Sequence, residues 1–128
     1  MAELDYAFLA DYASVDGDKL TAAGASFTYV EVPYVPAPLR LFVAGRIRAK
    51  VEETEIDFAL KIVPPSPAAE IVFEGTVVPN DSFRPYDGKV GVLFALEVPL
   101  TLHSEGLHEV FVSVSGAIRR LAFSVERG

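Results

Sequence analysis

Cysteine is absent from this chain, and so is tryptophan. Without thiols there is no disulfide framework, no thiolate nucleophile and no cysteine-based zinc site. Only two histidines, His103 and His108, could act as general bases near neutral pH. No apolar run approaches the ~20 residues a membrane-spanning helix needs, so no membrane partner is expected. Asp5 and Asp11 interrupt the apolar stretch behind Met1, and no basic segment precedes it. A secretory signal is therefore not expected either. Positive charge is scarce: 11 Lys and Arg stand against 18 Asp and Glu, a net charge of −7. Such a field repels phosphate backbones and anionic lipid, which argues against nucleic-acid binding. These absences together predict a cytoplasmic protein without a cofactor.

Catalytic signatures are missing as well. No G-x-S-x-G elbow, Walker loop, dinucleotide fingerprint or H-E-x-x-H helix occurs. Nothing singles out two of the eighteen acids for glycoside chemistry. The sequence predicts a protein that is not an enzyme.

What the chain does have is alternation. Half of its residues are hydrophobic (51%), enough over 128 residues for one packed domain spanning 1–128. Ile56, Phe58, Leu60 and Ile62 share one parity; so do Val90, Val92, Phe94, Leu96, Val98, Leu100 and Leu102, and later Val110, Val112 and Val114. A period of two places successive side chains on opposite faces of a pleated strand. About eight such runs, with no helix between them, predict an all-β fold. The expected form is an antiparallel β-sandwich with immunoglobulin-like or jelly-roll connections.

Strands are expected over Leu4–Ala13, Leu20–Val32, Glu70–Val78 and Val90–Leu102, with a bulge or close approach at Gly24. Pro99 should mark an edge, bulge or break. Two hairpins can be drawn with their register. Setting Lys50 against Glu55 brings Arg48 to Asp57 and puts Val43, Ile47 and Ala49 on the face of Ile56, Phe58 and Leu60. The intervening Val51–Thr54 has neither glycine nor asparagine, which leaves its turn type open. At the other end Ser115-Gly116-Ala117-Ile118 suits a type II′ turn, which would set Val112 against Leu121 and Val110 against Phe123.

If strands alternate in direction, one end of the sandwich collects Asp16, Asp18, Glu52, Glu53, Asp81, Arg84, Tyr86 and Asp87. The alternative to an interaction module is a domain that holds a small ligand or calcium at this acidic loop end. Calcium takes carboxylate oxygens from such loops, and Asp16, Asp18, Asp81 and Asp87 are the residues it would use. Asp16-Gly17-Asp18 lacks calcium-loop spacing, however, and aspartate beside glycine is ordinary turn chemistry, so no metal is expected. His103, Glu105 and His108 match no zinc signature, and loop histidines of this kind should face solvent. Arg40, Arg46, Arg48 and Lys50 share a face that could track an anion. Asp57 and Glu55 are their expected partners, which makes a salt-laced outer face the better reading.

Apolar residues on the outward parity are more informative. Phe42, Val72, Leu93 and Phe111 break the polar pattern, as a covered strand or an interface would. They predict association with a second copy of the chain or with another protein.

The stretch Leu4-Asp5-Tyr6-Ala7-Phe8-Leu9-Ala10-Asp11-Tyr12-Ala13 is followed by Gly17, Lys19-Leu20, Gly24 and Phe27. It resembles a family of small bacterial and phage-associated proteins of unknown function. Gly106 to His108, Val110, Val112 and Phe123-Ser124-Val125 are similar to that family's closing hairpin, although an aromatic residue would be expected in place of His108. The resemblance implies a β-sandwich and no assigned chemistry. Asp11 is its most signature-like residue, expected as a buried carboxylate accepting backbone N–H groups.

Overall fold

The parity sets are the buried sets. A computed structural model describes residues 1–65, 70–79 and 83–128, and the described residues form eleven strands and no helix. On β6 (Ile56–Val63) all four of Ile56, Phe58, Leu60 and Ile62 are buried. So are Val110, Val112 and Val114 on β10 (Gly106–Val114). On β9 (Lys89–Leu102) burial is complete at Val90, Val92, Phe94, Leu100 and Leu102, and partial at Leu96 and Val98.

Two sheets enclose this core. The first runs β1 (Glu3–Ala10), β5 (Ala37–Lys50), β9, β8 (Pro85–Tyr86). The second runs β4 (Tyr29–Val32), β11 (Ala117–Arg127), β10, β6, β7 (Ile71–Val77). Phe58 of one sheet meets Phe94 of the other edge-on, 5.2 Å between centroids, a favoured aromatic geometry. A separate hairpin, β2 (Tyr12–Asp16) with β3 (Lys19–Ala23), makes a small third sheet. The fold is an all-β sandwich. It is antiparallel except where β4 runs parallel to β11, so the expected wholly antiparallel sheet becomes a mixed one, and eight strands become eleven.

The expected hairpin between residues 39–50 and 55–63 does not form. β5 pairs with β1 and β9, whereas β6 lies in the opposite sheet between β10 and β7. Both strands bury the parity foreseen for them, but Val51–Thr54 crosses from sheet to sheet. Glu53 holds the crossing: its carboxylate accepts the Lys50 N–H at 3.1 Å, and its own N–H donates to the Lys50 carbonyl at 3.0 Å. The missing turn residues were the sign of a crossing. β5 instead pairs with β9 along its whole length, from Ala37 opposite Leu102 to Lys50 opposite Lys89.

The closing hairpin forms, two residues away from the expected register. Val112 faces Arg119, Val110 faces Leu121 and His108 faces Phe123. Ser115 (φ 49°) and Gly116 (φ 86°) are the central pair, and positive φ at both positions belongs to a type I′ turn, whose twist suits the flanking strands. A shift of two preserves every buried face, so periodicity could not choose between the registers.

The opening run breaks at Asp11 into β1 and β2, and Leu20–Val32 breaks into β3 and β4. Glu70–Val78 contracts to β7. β9 passes through Pro99 without a break, because β8 pairs only with Val90 and Lys89. Among the described residues proline therefore sits on a free edge, where no ladder donor is needed.

Candidate functional site

The outer face of the four-stranded sheet carries Ala10, Phe42 and Ala44, and the β2–β3 hairpin lies over them. With Ala13 these residues form a second small core, flanked by Phe8, Leu20 and Ala95. Phe42, foreseen as an interface residue, is 6% exposed, and the Tyr12 ring packs on it at 5.4 Å. This chain's own hairpin covers it. The hairpin hangs on a crossing of two backbones. Asp11 N–H donates to the Ala23 and Gly24 carbonyls, and Ser26 N–H donates to Leu9 O at 2.6 Å. A Cβ on Gly24 (φ 58°) would stand 2.1 Å from the Asp11 carboxylate, so the close approach expected at this glycine is real. Asp11 itself is exposed, not buried; its backbone, and not its carboxylate, makes the hydrogen bonds at this joint.

The corresponding face of the five-stranded sheet has no cover among the described residues. Across the strands one row reads Val72, Lys61, Phe111, Arg120, and the next reads Glu74, Ala59, Ser113, Ile118. Val72 is 58% exposed and Ile118 69%. With Phe111 they line one shallow groove of about 420 Å³, rimmed by Lys61 and Glu74. Two of the four foreseen interface residues, Val72 and Phe111, thus meet in one place. Leu93 does not join them. It lies on the other sheet, partly buried, beside Arg46, Tyr86 and the hairpin tip at Asp18. Ile118 was missed, although its place beside the closing turn and its outward parity were both legible.

The arginine stripe is salt-laced, but with other partners than expected. Arg46 binds Asp5 through Nε and Nη2, and Arg48 Nη2 reaches the second carboxylate oxygen at 3.2 Å. Hydrogen bonding from Arg46 holds the Asp5 carboxyl below the ordinary aspartate range. Arg40 pairs with Glu97 at 2.6 Å, and the residue opposite Lys50 on β9 is another cation, Lys89. Asp57 contributes its backbone carbonyl to Ser115 N–H. The expected pairs with Asp57 and Glu55 needed the hairpin that does not form. Arg48 Nε is buried with no partner among the described residues.

At the acidic end Asp16 accepts from Ser14 at 3.1 Å, and Asp87 (φ 49°) with Gly88 makes the two-residue β8–β9 turn. Asp18, Arg84 and Tyr86 share one hollow and Glu53 another, with Phe83 lining both. Asp81 lies outside the described residues. Among the described residues no three His, Asp or Glu side chains converge as a metal site would require.

The histidines divide. His103 is exposed, whereas His108 is 3% exposed, a correction to the solvent-facing position expected of it. His108 is not in a loop but on β10, on the inward parity with Val110. Its ring stacks on Phe123 at 5.1 Å and 19°. Desolvation pushes its pKa down. Glu105, a conceivable third ligand, is engaged by the Arg127 backbone and guanidinium, both at 3.1 Å.

Comparison with known proteins places the chain in a family and no further. The chain belongs to DUF6941, a family of unknown function that matches residues 5–126. No curated protein and no solved structure matches it. Among the described residues no helix is long and apolar enough to cross a membrane.

Proposed function

We propose that this chain is a non-enzymatic interaction module, acting as one domain in the cytoplasm, that pairs with a second copy of itself through the bare face of its five-stranded sheet. One observation carries the reading. Val72, Phe111 and Ile118 line a common groove with none of the described residues above them, whereas the opposite outer face is closed by a hairpin. Exposed apolar patches rimmed by polar groups mark association surfaces.

Charge favours a second copy over a strongly charged partner. The groove's own rim holds one cation, Lys61, and one anion, Glu74, on neighbouring strands. Lys61 pairs within its own chain with Glu70 at 3.3 Å and would have to exchange that exposed partner. A two-fold axis through the groove would bring Lys61 of one protomer toward Glu74 of the next. Isologous contacts of this kind are the commonest in soluble oligomers. The neutral rim gives a polyanion nothing to hold.

Light scattering across a dilution series from ~1 µM to ~500 µM tests the proposal, because association follows mass action. The expected result is a mass rising from monomer to dimer, with Ile118→Glu remaining monomeric throughout. A wild-type protein that stays monomeric at the highest concentration would refute self-association.

A further inference from the structure

We propose that the cleft beside His108 binds a small neutral molecule with an apolar body and a single hydroxyl or N–H donor. This site lies between the two sheets and is separate from the bare outer face.

The cleft exists because the sandwich is open on one side. Ile71 pairs with Ile62 across β7 and β6, so the two share an inward face. Ile62 is buried, yet Ile71 is 38% exposed, because among the described residues β9 has no outer neighbour at this end. The resulting cavity holds about 290 Å³, close to the ~300 Å³ at which small-molecule sites begin. Ile62, Ile71, Leu100 and Leu102 supply its apolar walls, and Thr101 stands at its exposed rim.

His108 is the polar group that orients a ligand. Its Nδ1 lies 3.1 Å from the Gly106 carbonyl oxygen. A carbonyl only accepts, so Nδ1 carries the proton and Nε2 keeps the lone pair. Nε2 has no hydrogen-bond partner among the described residues, and it is not among the buried atoms sealed off without one. The opening that leaves it accessible is the cleft that His108 lines. An acceptor in an apolar recess is poorly satisfied until a donor arrives. No Asp, Glu, Lys or Arg lines the cleft, and its second histidine, His103, stands exposed at the mouth, so no fixed counter-charge awaits a cation or an anion. A neutral donor on an apolar body is the complement.

The matched pair 4-methylphenol and toluene tests this, followed by NMR of the imidazole nitrogens in the full-length protein. They share a ring and a methyl group and differ in the donor. Saturable binding of 4-methylphenol is expected, about tenfold tighter than toluene, with Nε2 shifting. His108→Phe keeps the stacking shape and should bring the two affinities together. Ile71→Trp, at a part-exposed position on the cleft's own face, should weaken both at least about tenfold by filling the mouth. Ile118→Glu should change neither, which separates this site from the association surface. Equal affinities in the wild type, no saturable shift, or full binding by Ile71→Trp would each overturn the assignment.

Discussion

The two sheets leave similar apolar residues on their outer faces and treat them differently. On the four-stranded sheet, Phe42 and Ala44 disappear beneath the β2–β3 hairpin, which ties itself down through the Asp11–Gly24 crossing. On the five-stranded sheet, Val72 and Ile118 remain in the open. An outward-facing apolar side chain therefore carries no fixed meaning. It is core where the chain has a spare hairpin to lay across it, and exposed surface where the described residues lay nothing over it. Phe42 and Phe111 look alike on the strand pattern. Only the path of residues 11–24 separates them.

That contrast can be broken most directly at the two phenylalanines. Phe42→Ala should lower unfolding free energy by ~3–5 kcal/mol in urea titrations, the usual loss for a buried ring. Phe111→Ala, measured at low micromolar concentration, should lose ~1 kcal/mol or less. Equal losses would mean that the bare face is packed after all.

A smaller effect is expected at the joint of the covering hairpin. Gly24→Ala combines a left-handed backbone with a collision against the Asp11 carboxylate. It should cost ~1–2 kcal/mol and speed amide exchange in residues 12–23 ahead of the rest. Asp11→Ala in the same chain should restore part of the loss by removing the obstacle. Uniform exchange across the molecule would show that the hairpin is not a separable cover.

The smallest effect concerns charge. Because the folded Asp5 carboxyl titrates below its unfolded value, its pairing with Arg46 contributes stability that is complete above the unfolded pKa of about 4. That contribution is lost as pH falls through the lower, folded value. Asp5→Asn should remove ~1 kcal/mol at neutral pH and flatten the stability profile below pH ~4. The exposed Glu109–Arg120 pair on the bare face, 2.7 Å apart, should matter less, and Glu109→Gln should change thermal unfolding only slightly. A larger loss at Glu109 than at Asp5 would reverse the comparison.

Much of this was legible and some of it could not be. Parity alone identifies the buried faces of β5, β6, β9 and β10, because a strand with one wet face has little choice about what it turns inward. Parity says nothing about neighbours. Arg48 could be drawn against Asp57 as readily as against Asp5, and charges on long side chains accept many partners. His108 shows the same limit at the site: a histidine two residues beyond a glycine reads as a loop residue until Phe123 is seen to lie against it.

The order of residues by itself determined that the chain folds as strands, which side chains enter the oily interior, and where tight turns fall, since these follow from local periodicity and backbone freedom. Tertiary structure decided which strands adjoin, which outer face is roofed and which the described residues leave bare, and that an imidazole lines a cleft. Those outcomes depend on contacts between segments far apart in the chain, and a register shifted by two residues or a hairpin exchanged for a crossing leaves the local pattern unchanged.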